Sequence, residues 1–304
     1  MRKTLLCISI TLAMAAVAWG QQEAVITVLG DHGAPVTGIT AAQISVEQGG
    51  HPAAVSAVTP LQDQAGRIEM YLAVDDDAVG LTPRIPELQA FLNSQPSDVA
   101  TGVVYLRQST ALVAQPLTIH HDAAAAALRP PLATQGISPS PFESLTALLA
   151  AWPRRPNRRR VLVVLSNGVQ SVGVDDAENK QFRDALDAFA GAGVLTYAIL
   201  VPGNESIGAG STDHDGAANG LAAPGLVQSN GFANLTSLAE ETGGEAYSQG
   251  TNVPNRLQPF LDQITACLHS QYRVQFTPQP GAGPKTSLKV KVKGSHLRVL
   301  APHH

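Results

Sequence analysis

The chain has 304 residues, with 24 acidic side chains, 20 Lys and Arg side chains and a formal net charge of −4. This length suffices for one large or two small domains, and apolar residues at 44% are abundant enough to fill a core. The slight negative charge argues against a nucleic acid or an anionic membrane surface as the partner.

The amino terminus has the parts of a secretory signal. Two basic residues precede an uncharged stretch over residues 4–17, and the small residues Ala18 and Gly20 occupy the positions that signal peptidase reads. The apolar stretch is shorter than the roughly 20 residues of a membrane-spanning helix. Residues 1–20 are therefore predicted to be a signal peptide. The mature protein, beginning at Gln21, is expected to be secreted or periplasmic, without an integral membrane span.

Short alternating strands are predicted at both ends of the chain. Residues 21–62 contain the stretches AVITVLG and QISVEQGG with Gly-rich turns, which are all-β signals. Residues 271–304 return to this pattern in YRVQFTP, SLKVKVK and HLRVLAP, and the lysines of SLKVKVK alternate with apolar residues as in a half-exposed strand. We predict that the two ends form one small β layer. Extension of the main sheet by each end is an open alternative.

The region between these ends, residues 66–270, alternates continuous apolar strands with amphipathic helices. The strands are IEMYLAV, TGVVYLR, ALVAQPLT, VLVVLS, VLTYAILV and EAYS. The helices are PRIPELQAFLNS, AAAAALRP, FESLTALLAAW, ENKQFRDALDAFAGAG, FANLTSLAEETGG and PNRLQPFLDQITACLHS. This alternation predicts a doubly wound α/β domain, with a mainly parallel sheet and helices on both faces.

One long segment within that region has no periodicity. Residues 202–228 are rich in Gly, Ala, Ser and Asn, and loops longer than about 15 residues are uncommon in compact domains unless they are functional or disordered. The segment follows VLTYAILV, so it leaves from the carboxyl ends of the strands, where open α/β sheets place ligand sites. A binding loop and a disordered segment are both open interpretations.

The motifs of common enzymes are missing. The sequence has no G-x-S-x-G elbow, no H-E-x-x-H helix and no Gly-rich phosphate loop ending in Lys-Ser or Lys-Thr. The pairs His120-His121 and His303-His304 lack companion ligands at metal-site spacing, so we interpret them as solvated histidines. No catalytic residue is assigned, and no enzymatic activity is expected.

Two further features are interpreted as structural. Cys267 is the cysteine that remains after signal removal, and it lies at apolar spacing in the helix LQPFLDQITACLHS, which predicts a buried thiol. The basic run from Arg154 to Arg160 precedes a strand, and short runs of charge are usually solvated. We therefore expect a solvated loop there and not a polyanion site.

Three local signatures occur in a recognisable order: GDHGAPVTGITAAQISVEQGG, then IEMYLAVDDD, then LAEETGGEAYS. Their order and spacing resemble the von Willebrand factor A family, and in particular exported bacterial members of the acidobacterial type that begin with a short β segment. The resemblance covers most of the chain from Ala24 to Ala301. It implies the fold predicted above and a protein that binds other macromolecules.

The resemblance also implies a divalent-cation site at the carboxyl edge of the sheet. The family often uses an Asp-x-Ser-x-Ser loop, a Thr from a second loop and an Asp from a third, and hard oxygen ligands of this kind suit Mg²⁺. Here Asp75 matches the aspartate, Asp77 replaces the first serine, and Val79 replaces the second. In the third loop, LSNGVQS places Ser166 and Asn167 at the matching positions.

The second loop offers three hydroxyls, Thr134, Ser138 and Ser140, ahead of the helix FESLTALLAAW. Two interpretations are open. Asp75, Asp77, Asn167 and a hydroxyl from Ser138 or Ser140 form an altered site for Mg²⁺ or for Ca²⁺, which accepts more varied oxygen sets. Alternatively, the site is degenerate and its carboxylates accept backbone N–H groups. We favour the degenerate site, because one hydroxyl is lost and an amide replaces a charged ligand.

Together these features predict an exported, non-catalytic binding module without a cofactor. Its partner is expected to be a protein or a surface glycan, bound through the loops at the carboxyl edge of the sheet. A structural or assembly component of a cell-envelope complex, docked through the β layer, is the alternative, and an uncharacterised hydrolase is the third and weakest. No feature indicates a particular oligomeric state.

Overall fold

The computed structural model describes residues 21–61, 67–132, 140–169, 176–202, 224–250, 252–283 and 285–304. The predicted signal peptide, Thr134 and Ser138, and residues 203–223 of the predicted long loop lie outside these ranges. Among the helices in the described ranges, none has both the length and the apolar content that crossing a bilayer requires.

The strands fall into three groups along the chain. The first four are β1 (Gln22–Leu29), β2 (Ile44–Gln48), β3 (His51–Ala53) and β4 (Val55–Pro60). The central six are β5 (Ile68–Asp75), β6 (Ala100–Arg107), β7 (Thr110–Thr118), β8 (Arg159–Ser166), β9 (Val194–Leu200) and β10 (Ala246–Tyr247). The last three are β11 (Gln271–Phe276), β12 (Leu288–Val292) and β13 (Arg298–Leu300).

The central strands form one sheet in the order β10-β9-β8-β5-β6-β7. Four neighbouring pairs are parallel, and β7 pairs antiparallel with β6 at one edge. Every residue of β5 and β9 is buried, as expected for apolar strands covered on both faces. The doubly wound, mainly parallel sheet predicted from the sequence is therefore confirmed.

In the described ranges, six helices cover this sheet: α1 (Ile85–Asn93), α2 (His121–Ala126), α3 (Pro141–Ala151), α4 (Asp176–Ala192), α5 (Pro224–Glu241) and α6 (Gln258–Leu268). Helices α1, α2 and α6 pack apolar side chains such as Leu88 and Ile264 into the core on one face. Helices α3, α4 and α5 do the same on the other face, with Phe142 and Phe189 fully buried. The sheet is thus enclosed between two separate apolar cores.

One helix is longer than predicted. Helix α5 begins at Pro224 and not at Phe232, so residues 224–228, assigned from the sequence to a loop, are helical. The added turns read PGLVQSNG, in which Gly, Ser and Asn have low helix propensity and hide the helical pattern. The proline at the first helical position is itself favourable, because its fixed φ suits a helix start.

The strands from the two ends form a separate β layer. One sheet has the order β13-β1-β11-β4 and the other β12-β2-β3, and the recorded pairs are antiparallel. They share an apolar core that includes Ile26, Val46 and Val274. This pairing confirms the predicted β layer and excludes extension of the central sheet by either end. In β12, Lys289 and Lys291 are exposed while Leu288 and Val290 are buried, as the alternation predicted.

The basic run before β8 differs from its interpretation as a solvated loop. Arg159 and Arg160 belong to β8 itself, and Arg160 is only 6% exposed. The expectation was wrong for these two residues, because a short run of like charge does not reveal where the following strand begins.

Candidate functional site

The carboxyl ends of β5 and β8 lie side by side at the centre of the sheet. The chain runs from β5 to β6 on one side of this pair and from β8 to β9 on the other, so the strand order reverses between them. Open α/β sheets place their ligand sites at such a switch point. Asp75 ends β5 and Ser166 ends β8, and the Ser166 hydroxyl donates a 2.6 Å hydrogen bond to Asp75 Oδ2. The structure therefore brings together two of the residues assigned from the sequence.

The first loop continues from Asp75 with two more buried aspartates. Asp75, Asp76 and Asp77 are 6%, 1% and 8% exposed. The backbone N–H of Asp77 donates to Asp75 Oδ1 at 3.1 Å, and that of Ala78 donates to the Asp75 carbonyl at 3.0 Å. Both carboxylate oxygens of Asp75 thus accept hydrogen bonds from within the protein, one from the loop and one from Ser166.

Asp76 is neutralised by an arginine for which the sequence carries no signal. The guanidinium of Arg129 donates to Asp76 Oδ1 at 2.7 Å and to Oδ2 at 2.9 Å, a bidentate geometry that adds strength and direction. The hydrogen bonds to Asp76 raise the pKa of Arg129. The same guanidinium lies 3.7 Å from the ring centroid of Tyr105, and the Tyr105 hydroxyl donates to the Arg129 carbonyl at 2.7 Å. The charge of the Asp76 carboxylate is therefore compensated by the Arg129 guanidinium.

The second loop contributes Ser140, which is 3% exposed. Its hydroxyl oxygen accepts the backbone N–H of Phe142 at 3.3 Å, so Ser140 is the N-cap of α3, with Pro141 at the first helical position. Of the three hydroxyls assigned to this loop, Ser140 is the one in the described part of the chain, and its oxygen serves the helix end.

The third loop uses its polar groups in the same way. Asn167 Oδ1 accepts the backbone N–H of Val169 at 2.9 Å, and the N–H of Gly168 donates to the Ser166 hydroxyl at 3.1 Å. Gly168 has φ of 65°, a left-handed conformation that favours glycine. The loop is therefore a tight turn closed by its own side chains.

Helix α5 packs directly on this turn. The Asn234 side chain donates to the Gly168 carbonyl at 3.0 Å. A Cβ on Gly231 would overlap the carbonyl oxygen of Asn167, so glycine at this position allows the helix backbone to approach the loop. No periodicity in the sequence marks this contact, because the residues involved are small or polar.

These contacts bear on the divalent cation that the family resemblance implies. Oxygens of Asp75, Ser140 and Asn167 accept protein N–H groups, and the second oxygen of Asp75 accepts the Ser166 hydroxyl. Mg²⁺ requires near-octahedral oxygen coordination, and each of these oxygens already accepts a hydrogen bond from the protein. The edge is therefore ordered by hydrogen bonds within the protein, and we derive no step that depends on a cation.

The remaining candidates from the sequence lie away from this edge. His121 Nε2 is 2.8 Å from the Val99 carbonyl, and His303 and His304 lie 3.5 Å and 3.1 Å from Glu241. Within the described residues, no cluster of three or more His, Cys, Asp and Glu side chains is arranged to hold a metal ion.

Cys267 is fully buried in α6, which confirms the predicted burial of this thiol. Desolvation by burial is the main cause that raises the pKa of Cys267 to about 12, so the thiol is protonated at neutral pH. A protonated, buried thiol is a poor nucleophile.

Comparison with known proteins gives structural likenesses only. No model of a protein family matches the chain, and no curated protein matches it. Solved structures similar to it include the conserved hypothetical protein BatB from Bacteroides thetaiotaomicron, at 12% identity and a TM-score of 0.45, over 65% of this chain and 97% of that one. An aerotolerance-related membrane protein from Bacteroides fragilis is similar at 14% identity and 0.44, over 66% and 98%.

A third similar structure is the SpRpn10 VWA domain, at 12% identity and a TM-score of 0.43, over 66% of this chain and 96% of that domain. At these identities and TM-scores, the description of the fold rests on the strand order and the pairing of this chain itself.

Proposed function

We propose that this chain is a von Willebrand factor A-like, non-catalytic binding module. It recognises a protein or a surface glycan through the loops at the carboxyl edge of its central sheet and needs no divalent cation to do so. The observation that carries the proposal is the hydrogen bond between Asp75 and Ser166, which ties two loops together at the switch point of the sheet.

The state of these loops favours binding over catalysis. In the described parts of these loops, the polar groups of Asp75, Ser140 and Asn167 are hydrogen-bonded within the protein, so this part of the edge is ordered before a partner arrives. A preordered surface lowers the entropic cost of association. The Ser166 hydroxyl is fully buried and hydrogen-bonded to Asp75, which keeps it from acting as a nucleophile toward a bound substrate.

The edge also presents an apolar contact point. Leu132 is 55% exposed, and its backbone N–H donates to Asp76 Oδ1 at 3.2 Å, so its position is tied to the buried carboxylate. A partner that binds at this edge would therefore meet Leu132, which makes this side chain a suitable position for a test.

The proposal includes export of the chain from the cytoplasm. It rests on residues 1–20, with their basic start, apolar stretch and small residues at the cleavage positions. Outside the cytoplasm, a partner on a surface or in the envelope becomes accessible.

The test uses two matched substitutions at opposite ends of the sheet. Leu132→Glu places a charge at the carboxyl edge, and Ile119→Glu does the same at the amino end, where Ile119 is 59% exposed just after β7. The immobilised mature protein and both variants are incubated with envelope proteins and surface glycans of the source cells. The proposal predicts a retained partner that Leu132→Glu loses and Ile119→Glu keeps. Retention unchanged by Leu132→Glu contradicts it.

A second candidate function is assembly into an envelope complex through the β layer. It is favoured by β4, an edge strand with a partly exposed pattern that pairs with β11 alone among the described strands. An edge of this kind is open to pairing with another chain. Thr59→Lys on β4 separates the two candidates: loss of the partner in this variant, together with retention in Leu132→Glu, supports assembly.

A further inference from the structure

A cavity of about 440 Å³ lies at the opposite, amino edge of the central sheet, where the sheet meets the β layer. One wall is the segment that leads into β8. A second wall is the end of α4 and the start of β9, and a third is formed by β1 and β11. The cavity is within the range of about 300–1,000 Å³ that small-molecule sites occupy.

The lining of this cavity is strongly basic. Six arginines line it and Glu23 is the acidic residue among the lining side chains, in a protein whose whole sequence has a net charge of −4. The arginines are Arg154, Arg155, Arg158, Arg159, Arg160 and Arg273. Positive charge is therefore concentrated at one concave site of an acidic protein.

Two of these arginines are fixed by neutral acceptors. Arg160 donates to the carbonyl of Trp152 at 2.9 Å and to the carbonyl of Ala192 at the end of α4. Arg159 donates to the side-chain oxygen of Gln271 on β11. These contacts hold the two guanidinium groups in place.

Some of the charge is compensated. Arg155 pairs with the buried Glu69 at 2.8 Å, and Arg273 Nε lies 3.3 Å from Glu23. No ion pair joins Arg154 or Arg158 to a partner in the described part of the chain. Arg154 and Arg158 therefore add positive charge to the cavity that no ion pair among the described residues offsets.

The crowding of cations is unfavourable for the protein alone. Burial lowers the pKa of Arg159 to about 10, with the charge of Arg273 acting in the same direction and Tyr197 and Asp98 opposing it. Burial and then the charge of Arg154 lower the pKa of Arg160, against the charge of Glu69. Desolvation and like charge both disfavour the ionised form, and a bound anion would offset both effects.

We propose that this cavity binds a small ligand that carries two or more phosphate groups. Arginine matches phosphate oxygens with paired hydrogen bonds, and each phosphate group carries high charge in a small volume. A single phosphate ion would leave most of the cavity empty. The site lies at the other end of the sheet from the edge assigned to macromolecular binding, so it stands independently of the proposed function.

Titration calorimetry with pyrophosphate and tripolyphosphate at constant ionic strength tests this site. The proposal predicts binding of both probes to the mature protein, with sulfate and citrate at least tenfold weaker. The double variant Arg154→Gln, Arg158→Gln weakens pyrophosphate binding at least tenfold. Both side chains precede β8 and are at least partly exposed, so this variant is expected to fold.

Arg256→Gln, which removes one exposed charge outside the cavity, is the control and leaves binding unchanged. Hydrogen exchange gives a second readout, in which pyrophosphate slows exchange over residues 154–160. Three results overturn the proposal: no heat of binding with either probe, equal weakening by Arg256→Gln, or tighter binding of a glutamate-rich peptide than of tripolyphosphate. The last result would identify an acidic protein segment as the ligand.

Discussion

Charged residues cluster at both ends of the central sheet, but the partners of their charged groups differ. At the carboxyl edge, Asp75 accepts hydrogen bonds from Ser166 and from its own loop, and Asp76 is paired with Arg129. At the amino edge, Arg160 is held by carbonyl oxygens, and no ion pair joins Arg154 or Arg158 to a partner among the described residues. A cluster of charge therefore indicates a small-ligand site only where the protein does not already neutralise it.

Removal of residues 286–304 is expected to have the largest effect, because it takes away β12, β13 and part of the wall of the arginine-lined cavity. Strand β1 loses β13 and keeps β11, while β2 loses β12 and keeps β3. Buried side chains of Leu288, Val290 and Leu300 are lost, and burying each is worth about 1.5–3 kcal/mol. That sum is comparable with a domain's whole margin of about 5–15 kcal/mol.

Limited proteolysis of the full and shortened chains measures this effect. We expect cleavage within residues 21–60 of the shortened chain, together with loss of pyrophosphate binding. The central domain should keep a cooperative melting transition at a lower midpoint, because Leu300 also packs against its core. Equal protection of residues 21–60 in both chains would contradict the dependence of one end on the other.

Arg129→Ala tests the neutralised carboxyl edge. Removing one partner of a buried pair costs about 3–5 kcal/mol, but the Arg129 side chain is 34% exposed and Arg107 lies 4.0 Å from Asp76. We therefore expect a smaller loss, of about 2 kcal/mol, in the free energy of unfolding. Lys180→Ala is the control, because the Lys180–Asp184 pair is 69% and 57% exposed and should contribute less than about 1 kcal/mol. Denaturant unfolding measures both. Equal losses of unfolding free energy in the two variants would show that the Asp76–Arg129 pair contributes no more than an exposed ion pair.

Gly231→Ala is a smaller change at the same edge. The added methyl would overlap the Asn167 carbonyl and push α5 away from the third loop, at a cost of about 1–3 kcal/mol. Gly191→Ala in α4 adds the same methyl where no atom lies within 4 Å, and should stabilise the protein by about 0.5 kcal/mol. Thermal unfolding of both variants gives opposite shifts if the close contact is real. A stabilising shift in both variants would contradict the close contact between α5 and the third loop.

The architecture could be predicted because the spacing of apolar residues along the sequence indicates which side chains are buried. Continuous apolar runs such as IEMYLAV become fully buried parallel strands, and the alternation of SLKVKVK becomes one exposed and one buried face. Asp75 and Ser166 were assigned to one site through the resemblance to the von Willebrand factor A family, and the structure places them at neighbouring ends of parallel strands.

Other features of the site leave no such pattern. Arg129 reaches Asp76 across 53 positions, and neither residue lies in a repeat or a motif that points to the other. The extension of α5 to Pro224 could not be predicted, because Gly, Ser and Asn have low helix propensity. The basic run from Arg154 gives no indication that β11 and α4 lie beside it. In each case the missing information is a tertiary contact between segments distant in sequence.

Calorimetric titration of the mature protein with Mg²⁺, Ca²⁺ and Mn²⁺ shows whether the carboxyl edge, which internal hydrogen bonds hold, works without a cation as we propose. Asp75→Ala serves as the matched variant. We expect no binding tighter than the millimolar affinity of weak extracellular sites, and no difference between the protein and the variant. A micromolar affinity that Asp75→Ala abolishes would contradict it and establish a cation-dependent site.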